Sequence, residues 1–293
     1  MNFSQFLLTP RLRLFVGAFL ISFSPIFVGL ADVSPTVSGF YRVFIGGIVL
    51  TLFVLVSGRR FNFVYATWIA IIAAAAFFAA DLWFWHRSVL YIGPGLGTLL
   101  ANMQVFFMMA AGALIYKQRP SNTQIVAVPI ALTGLIMAVG FDWSASRPDF
   151  QIGVIFGFLT AISYTGYLLL MRQAQVQSSY TMPIREIAVM SLLVSIFLGF
   201  SAIFEGESLL IPSSYDFFIL FLYGVASHAI GGILIVSALV KVHAAEVGIV
   251  LLLQPSLSYI WEAFFFQKSF IFIESLGVII VLFAIYLSSK RTV

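Results

Sequence analysis

The chain has no cysteine in 293 residues. Disulfides, a thiol nucleophile and a thiolate-bound metal are therefore excluded. Charge is nearly as scarce, at 9% of residues. A soluble domain of this length needs far more charged surface to stay in solution. The three histidines show no clustered spacing, so no metal site is expected. The only glycine-rich run, Gly93-Pro94-Gly95-Leu96-Gly97, lacks the Lys-Ser/Thr ending of a phosphate-binding loop. Nucleotide-driven chemistry is therefore not expected of this chain, and the run is read as the opening of a helix. The net charge of +4 does not indicate nucleic acid, because the basic residues are scattered through short loops.

What is abundant is apolar length. Hydrophobic residues make up 61% of the chain, and the mean hydropathy is +1.08. Ten apolar segments follow one another: Leu14–Leu30, Thr36–Val56, Val64–Arg87, Pro94–Tyr116, Asn122–Gly140, Ile152–Met171, Ile184–Phe204, Phe217–Val240, Ala245–Phe266 and Phe270–Leu287. Each approaches the roughly 20 residues that a helix needs to cross a bilayer. None shows the alternating pattern of barrel strands. The first segment follows Arg11 and Arg13 as a signal peptide would, but its run is long, no cleavage site follows and nine more segments come after it. The expectation is an all-α integral membrane protein of ten transmembrane helices.

Charge orients it. With ten crossings, eleven basic residues fall on the side of the termini: Arg11, Arg13, Arg59, Arg60, Lys117, Arg119, Arg172, Arg185, Lys241, Lys290 and Arg291. Three fall opposite, Arg87, Arg147 and Lys268, together with the acids Asp32, Asp142, Asp149, Glu205, Glu207 and Asp216. The positive-inside rule then places both termini in the cytoplasm.

The segments also divide into two fives, residues 11–140 and 152–288, joined by the polar loop Phe141–Gln151. Five is odd, so the second copy enters the membrane from the opposite face, as in the inverted repeats of secondary transporters. A shift of about 150 residues sets the run from Gly97 to Lys117 against the run from Gly248 to Lys268. It also sets Ala127 and Gly134 against Gly277 and Ala284, small residues on one helix face.

Ionisable residues inside a span are costly and normally face the bundle interior. Arg42, Asp81, His86 and Glu262 stand in the outer halves of their helices, and His228 stands mid-span. Arg42 could neutralise Asp81, Glu262 or both. Permanent buried ion pairs and an outer gate or proton-linked site both fit that description. His228, alone among glycines, reads as a hydrogen-bond partner between helices. Asp81, Trp85 and Ser88 share one helix face. Gln254, Ser258 and Trp261 form a polar stripe beside Glu262, with Pro255 freeing a backbone carbonyl. That stripe suits a cavity wall. Tyr164 and Tyr167 lie on one face of the sixth segment, where cavity lining and polar contacts between helices remain open. Asn102 and Gln104 point apart. Trp143 and Tyr215 fall at span ends, where an interfacial aromatic belt is expected.

These residues carry a resemblance. Arg42 early in segment two, Asp81-Leu82 with Trp85-His86 and Ser88, Leu99-Leu100-Ala101-Asn102, and Leu252-Leu253-Gln254-Pro255 with Trp261-Glu262 occur in an ordered set spanning nearly the whole chain. The chain resembles the drug/metabolite transporter superfamily, in its ten-helix branch with two EamA-type repeats. The resemblance implies a carrier of small metabolites, often an exporter, in a bacterial inner membrane, and it favours Asn102 over Gln104 as cavity-lining. Two departures stand out. Gln104 occupies the place of a usual proline, and Lys117-Gln118 and Gln267-Lys268 stand where Gly-Glu often ends these helices.

The reading is a secondary transporter working by alternating access on an amino-acid-like or other amphipathic, zwitterionic solute. The proton is the candidate coupling ion, the lipid bilayer the surroundings, and no cofactor or nucleic acid is involved. An uncoupled facilitator is the alternative. An integral-membrane enzyme would group His, Asp or Glu at a membrane face, and the loops group none.

Overall fold

The computed structural model describes residues 9–139, 150–178, 180–267 and 271–289. The joining loop Phe141–Gln151 lies almost wholly, and Trp143 entirely, outside them. The described residues are helical, without strands. The helices are α1 Pro10–Ile21, α2 Ser24–Leu30, α3 Pro35–Val56, α4 Tyr65–Ala101, α5 Gln104–Leu114, α6 Asn122–Val139, α7 Phe150–Val176, α8 Ile184–Phe204, α9 Ser214–Leu222, a π-helical stretch Tyr223–Gly231, α10 Gly232–Leu239, α11 Ala244–Leu251, α12 Leu253–Phe265 and α13 Phe272–Ser289. Seven of the resulting helical runs are long and apolar enough to cross a membrane; Gln104–Leu114, Asn122–Met137 and Phe272–Leu287 are shorter apolar helices. Many large apolar side chains face outward, among them Phe197, Phe200, Ile279 and Phe283. Such a surface suits lipid and would aggregate in water.

Local chemistry sets the boundaries. Ser34 caps α3 by accepting from the Val37 N–H, with Pro35 in the first turn, and Thr9 caps α1 in the same way. The first segment is interrupted at Ser22–Phe23 and restarts at Ser24-Pro25. The ninth is interrupted at Leu252, where Pro255 cannot donate to the preceding turn. The fourth is interrupted at Asn102–Met103 with no proline near it.

α4 runs unbroken through the place where the sequence suggests a turn between Arg87 and Pro94. It is not straight. A Cβ on Gly97 would stand 3.2 Å from Ser88 Oγ and from the Val89 nitrogen. Residues nine apart in a straight helix are separated by about 13 Å. The chain therefore doubles back between Ser88 and Gly97, across Gly93-Pro94-Gly95, while keeping helical hydrogen bonding. α7 lies against both arms: Ser88 Oγ donates to the Gly153 carbonyl at 2.9 Å, and Gly157 abuts Leu100.

The packing survives exchange of the two halves. α6 lies on α13, α3 on α8 and α5 on α11. The pairing of α4 with α7 is matched by that of α1 with α10 and the π stretch. The α6–α13 seam is made by the small residues noted in the sequence. A Cβ on Gly134 would stand 2.7 Å from the Gly277 carbonyl oxygen and 2.9 Å from the Val281 nitrogen, so the two backbones touch. Ala127 and Ala284 are fully buried on the same two helices. Left-handed backbone follows the same rule. Among the described residues it occurs at Lys117 (φ 52°) and Gln267 (φ 53°), and at Gly58 (φ 65°) and Gly206 (φ 76°), each pair about 150 residues apart.

Candidate functional site

Arg42 projects from α3 into the middle of the bundle. Its Nη1 donates to the Tyr223 hydroxyl at 3.2 Å, and its guanidinium lies 5.1 Å from the Tyr223 ring centre and 5.9 Å from that of Phe78. With Phe78, Tyr164, Tyr167, His228, Ile21, Gly232 and Ile235 it lines a cavity of about 20 Å³. That is room for about a single water. The wall draws on both halves of the chain. His228 lies in the π stretch, whose wider turn often marks functional sites. Its Nε2 hydrogen-bonds Ser191 Oγ at 2.7 Å, and its ring stacks on Phe78. His228 is thus the inter-helix partner expected from the sequence and a cavity wall as well. Phe78 also stacks on Tyr167, at 4.5 Å between ring centres.

Asp81 sits one turn beyond Phe78, buried, within electrostatic reach of Arg42, Tyr164 and Tyr167. Arg42 and Asp81 are not in hydrogen-bonded contact. Among the described residues the ion pairs are Arg11–Glu246, Arg87–Glu205 and Arg185–Glu186. The aromatic faces and the Tyr223 hydroxyl take the guanidinium instead, a cation–π arrangement strengthened where water is excluded.

The polar stripe of the ninth segment meets the interruption in the first. The Ser258 hydroxyl contacts the Ser22 carbonyl at 2.7 Å, and Trp261 Nε1 donates to Ser22 Oγ at 2.8 Å. The Trp261 ring stacks on Phe23, 4.5 Å between centres. Gln254 lies near Tyr164 at the cavity edge, its Nε2 buried without a hydrogen-bond partner. Glu262, partly exposed, follows Trp261 along α12. Arg42, Tyr164 and Tyr167 therefore line the cavity, Asp81 and Gln254 lie near it, and Ser258 and Trp261 border it through Ser22, next to Ile21 of the wall.

The remaining candidates lie apart. Asn102 turns back on its own helix, its Nδ2 donating to the Thr98 carbonyl at 2.8 Å. Gln104 is the residue that reaches across, its Nε2 donating to the Gly248 carbonyl at 3.3 Å. At the interruption the Leu252 N–H bonds Ile249 rather than Gly248, and this leaves the Gly248 carbonyl for Gln104. Trp85 packs on His86, 5.2 Å between ring centres.

A cluster absent from the sequence reading lies beside His86. The Glu205 carboxylate accepts from Arg87 at 2.8 Å, Ser201 at 2.6 Å and Thr36 at 3.1 Å. It ties α3, α4 and α8 together at one end of the bundle. Burial alone would raise the Glu205 pKa. The hydrogen bonds from Ser201 and Arg87, the Arg87 charge and the Thr36 hydrogen bond outweigh that and hold the carboxyl below its ordinary range. Arg87 also lies over the Trp83 ring at 3.4 Å. The one available signal was that the expected topology puts Arg87 and Glu205 on the same side of the membrane.

Among the described residues no three of His, Asp and Glu come together as a metal ion would require. The model of the EamA-like transporter family matches the chain twice, over residues 11–140 and 151–290. A solved structure described only as a crystal structure of a protein superposes with TM-score 0.82 at 14% identity, over 96% of this chain and 97% of the other. At that identity the likeness concerns the fold. No curated protein matches in sequence.

Proposed function

The chain belongs to the EamA-like transporter family, and from that premise we propose that it is a secondary carrier of a small organic solute. The observation that supports this best is the narrow centre built from both halves, with Arg42, Tyr164, Tyr167 and His228. A guanidinium ringed by aromatic faces and hydroxyls offers a carboxylate partner and flat apolar surface together. That suits amino-acid-like and other amphipathic zwitterions. At about 20 Å³ the centre is too small for such a solute. In this reading it is an occluded resting form that opens to each side in turn.

The reading extends to the membrane. The two fives, 11–140 and 152–288, are inverted repeats, and the three shorter apolar helices complete ten crossings. Both termini face the cytoplasm of a bacterial inner membrane. Asp81 or Glu262 carries a coupling proton, with Arg42 as the alternating partner that changes its affinity. Matched packing between the halves and the paired left-handed positions support the repeat.

Uptake of labelled amino acids and related zwitterions into proteoliposomes, with and without an imposed pH gradient, tests the reading. Accumulation that depends on the gradient and is lost in Arg42→Ala supports it. Equal flux through wild type and that variant for every solute would remove the central site. Reporter fusions at Arg59 and Glu207 should give cytoplasmic and external signals, and matching signals would overturn the topology.

A further inference from the structure

A second, larger cavity lies apart from the central one. It measures about 590 Å³ and lies at the end of the bundle where α3 turns into α4 and α7 into α8. Arg59, Arg60 and Arg185 all line it. We propose that this cavity is a binding site for a phosphate group, and that the phosphate is that of an anionic phospholipid headgroup.

The arginines are gathered at an electrostatic cost. The guanidiniums of Arg59 and Arg185 lie over the same ring, Tyr180, at 5.2 and 4.3 Å from its centre. One carboxylate, Glu186, lies beside Arg185 at 3.4 Å. Three cations against one anion leave an excess of positive charge. Among the described residues neither Arg59 nor Arg60 has an acidic partner within ion-pair distance. The buried Arg185 has a fixed task. It donates to the Arg60 carbonyl at 3.0 Å and the Asn62 carbonyl at 3.4 Å and lies 4.8 Å from the Phe63 ring centre. It thereby holds the turn that carries Arg59 and Arg60, while its own Nε is buried without a partner. Stacked, positioned guanidiniums present planar forks of donors, and phosphate oxygens match that geometry. A cavity of this volume is within the range of small-ligand sites.

The rim indicates where the phosphate comes from. Val64, which lines the cavity, and Leu55, Val56 and Tyr65, which precede or follow lining residues in the chain, are exposed apolar residues. A headgroup in the cavity would lay its acyl chains against them, whereas free phosphate would leave them uncovered. Juxtamembrane arginines attract anionic lipid with about 1 kcal/mol each.

Titrations of the purified full chain test this, by native mass spectrometry and by thermal shift in a neutral detergent. The probes are dioctanoyl phosphatidylglycerol, dioctanoyl phosphatidylcholine and inorganic phosphate. Phosphatidylglycerol should bind and raise the melting temperature. Arg59→Gln with Arg60→Gln should weaken that binding roughly 30-fold. Arg59→Lys with Arg60→Lys, which keeps the charge, should lose less. Added salt should weaken it. Phosphate binding that these arginines control, without preference for the lipid, would keep the phosphate site and refute the lipid source. Equal binding of phosphatidylcholine, or phosphatidylglycerol binding unchanged in the Gln variant, would overturn the site. Both arginines lie at the surface, so the variants should fold, and transport by the central site is read separately.

Discussion

Lys117 and Gln267 hold left-handed backbone with side chains that disfavour it. An L-residue in that conformation costs about 1–2 kcal/mol relative to glycine. Glycine gives back roughly 0.4–1 kcal/mol through the freer unfolded chain. Lys117→Gly and Gln267→Gly should therefore each stabilise the protein by about 0.5–1 kcal/mol. Gly58 and Gly206 supply the reverse experiment. A Cβ at either would meet no atom within 4 Å, so Ala there adds backbone strain without a clash. Each Ala variant should destabilise by a similar amount. At this chain length 1 kcal/mol corresponds to about 2 °C in melting temperature. Tryptophan fluorescence during thermal unfolding in one detergent, at one scan rate, reads all four. The expectation is two upward shifts, two downward shifts, and like sizes within each pair. If the glycine variants melt lower than wild type, or the Ala variants melt unchanged, the backbone reasoning fails.

Three further outcomes are expected. Asp81→Asn and Glu262→Gln should separate coupling from binding: loss of gradient-driven accumulation with solute exchange retained in either one marks the coupling carboxylate, and wild-type accumulation in both makes them structural. Gln254→Ala and Trp261→Ala should lower solute transport by tenfold or more while the protein stays monodisperse; unaltered transport in folded protein would detach the stripe of α12 from the site. The Glu205 carboxyl lies below its ordinary range when folded. Its contribution is therefore present above the unfolded carboxylate pKa of about 4.3 and lost as pH falls through the lower folded value. The melting-temperature gap between wild type and Glu205→Gln should be open at neutral pH and close below about pH 4. A gap independent of pH would contradict this.

The membrane makes part of such a fold legible. Apolar length is written directly into the sequence, so the helical runs and the small-residue match of Ala127 and Gly134 with Gly277 and Ala284 could be read without coordinates. Proline marked the interruption at Leu252, but nothing marked the one at Asn102–Met103, which rests on contacts with the opposite half. The preference for Asn102 over Gln104 was untested by periodicity, which says where a side chain points and nothing about the Gly248 carbonyl that Gln104 meets. Arg42, Asp81, Tyr164 and Tyr167 were identifiable because polar groups in a span are expensive. What they touch was not, since Tyr223 and Phe78 are two of many aromatics. Glu205 and Arg87 passed as loop charges because their partnership joins spans far apart in the chain.

The seam between α6 and α13 bears on how the molecule can move. At Gly134 and Gly277 one backbone rests on another with no side chain between them. Such a contact has no rotamers to exchange, so it can hold or part but cannot yield by degrees. Gly46 against Gly224 and Gly17 against Gly231 make the same kind of contact between the halves, whereas Phe23 on Trp261 and Phe27 beside Tyr223 are aromatic and adjustable. Rocking of one half on the other would thus turn on these glycine seams, α6 on α13 among them, as its axle and let α2 and α12 swing. A cross-link across the axle should be tolerated, whereas one between α2 and α12 should arrest the cycle.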